Sequence, residues 1–99
     1  MAVRIRVLDH VSQCYTADDG LVLRSVLLRH LATGEQCVVA FDGVRDVTSS
    51  FVNAALVSLL DDYSFDTIRR RISFSGASRQ ALNLISRRFS FEAKRQVAA

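Results

Sequence analysis

The chain contains no proline, only four glycines among 99 residues, and two cysteines. With no proline, internal repeat or low-complexity linker at which to divide it, residues 1–99 read as one domain with a single modest core. Gly43 and Gly76 stand alone, which excludes a glycine-rich phosphate loop. Cys14 and Cys37 are too few for a disulfide scaffold, and Cys37 heads an apolar segment, so free thiols and a reducing compartment are expected. No run approaches the roughly 20 apolar residues of a membrane span. The opening residues alternate charged with apolar side chains where a secretion signal would be continuously apolar, so a cytoplasmic location away from membranes is expected.

Histidine is equally scarce. A serine nucleophile needs a general base within hydrogen-bond reach and donors for the developing oxyanion. Only His10 and His30 are available as imidazole bases, and neither has a recognisable spacing to a serine cluster. His10 and Cys14 stand four apart, but two ligands do not complete a zinc site. No enzyme activity, cofactor or metal is expected on these grounds.

What is present is an ordinary globular composition, 49% apolar and 23% charged. The net charge of +3 conceals a division: through Ile68 five basic residues face nine acidic ones, whereas from Arg69 onward eight basic residues face Glu92 alone. Such a dipole favours an oriented encounter with a partner.

Apolar and basic residues alternate over Val3–Leu8, the period of a half-exposed edge strand. A helix is predicted over about Gly20–Ala32, capped by Asp18 or Asp19, with Leu23, Val26, Leu27 and Leu31 facing inward and Gly34 as a left-handed stop. Consecutive apolar residues Val38–Phe41 indicate a strand covered on both faces, and Asp42-Gly43 supplies a turn. Phe51–Leu60, interrupted only by Asn53 and Ser58, predicts a largely buried helix capped by Thr48, Ser49 or Ser50. A short loop then leads through Arg69, Arg70 and Arg71 to a third strand at Ile72–Ser75. Ser78 caps a further helix with Ala81, Leu82 and Ile85 buried. Beyond Arg87 the alternation Phe89-Ser90-Phe91 suits a strand, a helical extension or a packed tail equally. The order strand, helix, strand, helix, strand, helix predicts a small α/β domain, its sheet three- to four-stranded, parallel or mixed, with helices packed against it.

The run Phe41-Asp42-Gly43-Val44, a short spacer, and Thr48-Ser49-Ser50-Phe51 resembles the STAS-like family of unknown function, a relative of the STAS domains of bacterial anti-sigma-factor antagonists. In those antagonists the second serine of an Asp-Ser-Ser-Gly helix start is phosphorylated by a partner kinase. On that pattern Ser50 matches the phosphorylated serine and Ser49 the one before it, while Thr48 replaces the acidic residue and Phe51 the glycine. The resemblance implies a noncatalytic interaction module, often found with histidine-kinase-like ATPase domains.

Two function classes follow. In the first, the segment around Asp42, Gly43, Thr48, Ser49, Ser50 and Phe51 binds a protein partner, and Ser49 and Ser50 either cap the helix or carry regulation. A phosphate at a helix start meets unpaired amides, though Asp42 and Asp46 oppose it by like charge. In the second, a small basic protein of a phage or mobile element binds nucleic acid or a nucleoprotein complex. There Arg69, Arg70, Arg71, Arg79, Arg87, Arg88, Lys94 and Arg95 would neutralise phosphates, with Phe89 and Phe91 stacking on bases. A homodimer through Val3–Leu8 is open unless arginine blocks the edge.

Overall fold

The computed structural model describes residues 2–98, with side chains described through Glu92. Three strands, β1 (Ala2–Arg6), β2 (Gln36–Ala40) and β3 (Ile72–Ser75), form one parallel sheet in sequential order with β2 in the centre. The register aligns Val3, Cys37 and Ile72 in one row and Ile5, Val39 and Phe74 in another, and these rows face the core. Four α-helices pack against the sheet: α1 (Ala17–Ala32), α2 (Ser49–Ala55), α3 (Phe65–Arg71) and α4 (Arg79–Ala98).

The opposite face of the sheet corrects one expectation. Arg4, Val38 and Ser73 lie side by side there, and only Val38 is even half-buried. Sequential strands joined by crossovers of one hand place their helices on one side, so on the opposite face the apolar run of β2 is sealed at Ala40 and only half-covered at Val38.

α1 starts at Thr16, not at Asp18 or Asp19. The Thr16 hydroxyl accepts from the Asp19 amide, and the Asp19 carboxylate accepts in return from the Thr16 amide, a reciprocal capping box that places Asp19 in the first turn. Leu23, Val26, Leu27 and Leu31 form the predicted inner stripe, and the chain leaves through Gly34 at φ +82°. Gly20 allows α1 to touch α2: a Cβ there would stand 2.7 Å from both the Ala54 Cβ and the Phe51 carbonyl oxygen.

The predicted helix over 51–60 is two pieces. α2 ends at Ala55, and a 3-10 turn covers Val57–Asp61. The Ser58 hydroxyl donates to the Ala54 carbonyl at 2.6 Å, competing for the oxygen that a continuing α-helix would offer to the Ser58 amide. Burial survives the change, since Leu56, Val57 and Leu59 are all in the core.

α3 replaces the loop expected before the arginines. The Ser64 hydroxyl caps it by accepting from the Thr67 amide, Asp66 occupies its first turn, and Arg69, Arg70 and Arg71 form its last. α4 runs unbroken through the region left open after Arg87, with the Ala81 amide donating to the Ser78 hydroxyl at its start. Ala81 and Ile85 are buried as predicted; Leu82 is 42% exposed because it lies on the border of the inward stripe.

Candidate functional site

α1, α2 and α4 each begin shortly after a strand ends, so three helix starts gather at the C-terminal edge of the sheet, where α/β folds hold their ligands. The segment from Phe41 to Thr48 crosses this edge. Phe41 is sealed in the core, and its amide donates to the Ser75 carbonyl at 2.8 Å. The chain then reverses through Asp42 and Gly43, with the Val44 amide donating to the Phe41 carbonyl at 2.9 Å. Gly43 has φ +82°, the conformation that the third residue of a type II turn requires and that side-chain-bearing residues resist.

Asp42 is held from two sides. Its carboxylate pairs with Arg4 of β1, and it lies so close over Gly76 that any Cβ there would overlap it. Gly76 itself has φ +66°, so it meets a steric and a backbone demand at once. Asp42 therefore ties the loop after β2 to both neighbouring strands.

The return limb is fixed against the segment before α1. Val47 forms a parallel bridge with Cys14, and the Thr48 amide donates to the Cys14 carbonyl at 3.1 Å. The Thr48 hydroxyl donates to the Tyr15 carbonyl at 2.7 Å and accepts from the Phe51 amide at 3.2 Å. Of the three hydroxyl residues offered as caps, Thr48 is the one that caps α2.

Ser49 and Ser50 follow as the first two helical residues, and both are exposed. Phe51 is 0% exposed, so its ring anchors α2 in the core while the two serines are held outside. Along the loop that precedes them, a cleft of about 180 Å³ is lined by Leu8, Gln13 and Tyr15 together with Val44, Arg45 and Asp46. Cys14 borders this cleft, and burial, assisted by Asp19, pushes its thiol up to about 11. It is accordingly a neutral, poorly nucleophilic thiol at physiological pH. Burial also raises Cys37, and both cysteines are free.

His30 lies apart from this edge. His30 occupies the last turn of α1, fourteen residues from the Thr16 cap and so about 20 Å along the helix axis. Its Nδ1 stands 3.0 Å from the Glu35 carboxylate, which also accepts from the Thr33 hydroxyl at 2.7 Å; these two contacts hold Glu35 below the usual carboxylate range. Among the described residues no group of three metal-ligating side chains comes together, and no helix is long and apolar enough to cross a membrane.

The basic residues do not form one surface. Arg71 is half-buried and donates to the Leu31 and Glu35 carbonyls, closing the turn between α1 and β2. Arg70 pairs with Asp66 at 3.4 Å, Arg69 sits over the Phe65 ring, and Arg88 donates to the Asn53 side chain at 2.9 Å. Arg79 and Arg87 are exposed. Phe89, offered as a base-stacking ring, is buried at 5% exposure against Phe65, whereas Phe91 is exposed with the Arg88 guanidinium over it. Lys94 and Arg95 lie outside the residues whose side chains are described.

The sequence missed α3 and the internal role of Arg71. Ser64, with Asp66 behind it and three arginines ending the segment, was a readable helix signal, matching a cap with the helix dipole. The carbonyl partners of Arg71 carried no such signal.

The family model described as a STAS-like domain of unknown function matches residues 19–81. The match runs from the first turn of α1 through β2, the Phe41–Thr48 segment, α2, α3 and β3 into the start of α4. No curated protein and no solved structure matches the chain.

Proposed function

The chain belongs to the STAS-like domains of unknown function, and from that membership we propose that it is a noncatalytic regulatory or adaptor module that binds a protein partner. The contact surface is the rim formed by Gly43, Arg45, Asp46, Ser49 and Ser50. Asp42 and Thr48 act as struts that hold this rim in place, and Phe51 anchors the helix beneath it. The partner class favoured by the resemblance is a histidine-kinase-like ATPase, met in the cytoplasm.

One observation carries this reading: two exposed serines open a helix whose cap, backing ring and preceding turn are all rigidly held. A surface that is fixed from behind and polar in front loses little conformational freedom on binding. Modification of Ser50 fits the same surface. A phosphate would add roughly −1.5 to −2 charges at a rim that already carries Asp46. It would therefore act mainly by repelling an acidic contact or by recruiting arginines of the partner.

The decisive experiment captures partners from the native host, maps phosphorylated serines by mass spectrometry, and titrates the purified partner against the wild type and Ser50→Asp by calorimetry. Ser50→Asp is expected to weaken binding at least tenfold with an unchanged melting temperature. Unaltered affinity would remove the helix start from the interface. The nucleic-acid reading has no specific observation in its favour, since Arg71 and Phe89 are both occupied inside the fold.

A further inference from the structure

We propose that the groove between α3, β3 and α4 is a second docking site, taking an extended segment of another protein in which apolar and acidic residues alternate. The segment adds as a strand to the free edge of β3. This site is separate from the serine-bearing rim and does not depend on how that rim functions.

The groove holds about 310 Å³ and is lined by apolar side chains, including Phe65, Ile68 and Phe74 on one side and Leu82, Ile85 and Phe89 on the other. That volume accommodates one or two large apolar side chains. Leu82 is 42% exposed, and Phe65 and Phe74 are half-buried, so the lining is open to water.

The backbone beside the groove is unpaired on one side. Among the described residues β3 lies at the edge of the sheet, with β2 as its sole strand neighbour. The Ser75 carbonyl accepts from the Phe41 amide, which turns the peptide groups of Ser75, and by alternation those of Ser73, toward β2. The N–H and C=O of Phe74 consequently face outward. The Ile72 amide is already taken by the Ile68 carbonyl, so Phe74 is the one residue of β3 that offers the edge both a donor and an acceptor. Its ring lines the groove as well. A strand laid along this edge would pair with the Phe74 backbone and direct alternate side chains over the groove.

Charge decides between candidate occupants. Among the described residues no carboxylate lines the groove, and Arg69 is its one charged wall residue. Arg79 precedes Leu82 by one helical turn and Ser86 by two, so it stands in the row along the groove's α4 border. Among the described residues neither arginine has a carboxylate partner. A second copy of this chain offers β1 as its other free edge, but that strand carries Arg6, an Arg4 already paired with Asp42, and no carboxylate to meet Arg69 and Arg79. An acidic and apolar segment meets the same rim with opposite charge.

The test pans a random dodecapeptide library displayed on phage against the intact protein and measures synthetic copies of the enriched peptides by fluorescence anisotropy. Amide shifts are recorded in parallel. The expected peptides alternate apolar with acidic residues and shift the Phe74 amide. Their affinity falls at least tenfold in Leu82→Arg, a change at an exposed position that leaves the melting temperature unaltered, and it is unaffected by Ser50→Asp. The double variant Arg69→Glu and Arg79→Glu should select basic peptides instead. The proposal is overturned by any of four outcomes: no enrichment, enrichment of basic or uncharged peptides on the wild type, shifts confined to β1 or the serine rim, or affinities indifferent to Leu82→Arg. Self-association of the protein that Leu82→Arg abolishes would assign the groove to a second copy and overturn it too.

Discussion

The two flanks of the central strand are built differently. Toward β1, α1 and α2, the side chains of Val7, Cys14, Leu23, Leu27, Phe51 and Val52 are entirely buried, and Gly20 brings two helices to backbone contact. Toward β3, α3 and α4, the inward residues Ile68, Ile72, Ile85 and Phe89 each keep a few per cent of exposure, and among the described residues no side chain after Leu59 is sealed. The first flank is closed by small and branched residues in direct contact; the second leaves a groove. Stability is concentrated on one side of β2, and the open apolar surface on the other.

The contrast is broken most directly by truncating one leucine on each flank. Leu27→Ala removes a sealed side chain and is expected to cost about 3 kcal/mol, whereas Leu82→Ala at the groove border should change stability by less than about 0.5 kcal/mol. Urea unfolding of the two variants measures the difference, and equal losses would mean that the groove is as load-carrying as the core.

Arginine substitutions sharpen the same comparison. Arg71→Ala leaves the carbonyls of Leu31 and Glu35 without their charged donor, a loss of about 2 kcal/mol. Arg87→Ala, at an exposed position, should stay within about 0.5 kcal/mol of the wild type. Thermal melts that rank these two variants the other way would show that the basic third acts as one surface.

The smallest expected effect concerns acid. Glu35 is held below the usual carboxylate range by His30 and Thr33, so its contribution to stability is complete above its unfolded-state pKa and is lost as pH falls through the folded one. Glu35→Gln should therefore flatten the acid limb of a plot of melting temperature against pH, while leaving the neutral region nearly unchanged. An identical acid limb would place the acid sensitivity elsewhere in the fold.

Much of the architecture was legible because its signals are local. The apolar run before Asp42-Gly43 marked β2, the spacing of Leu23, Val26, Leu27 and Leu31 marked α1, and the hydroxyl residues ahead of Phe51 marked the start of α2. The same segment brought the family into view, since turn and helix start are consecutive in the chain. α3 was not legible by periodicity because a single residue, Ile68, is buried along its length. The break after Ala55 was hidden because an almost wholly apolar stretch gives no period from which a change of helix type can be read.

By itself the sequence determined which residues turn, cap and bury, because those choices depend on neighbours within a few positions along the chain. Only the tertiary structure decided that Asp42 is a strut between strands, that Arg71 serves carbonyls nearly forty residues away, and that one face of the sheet is left half-covered at Val38. These are consequences of which distant segments meet, and the packing of helices on one side of three sequential strands sets that meeting.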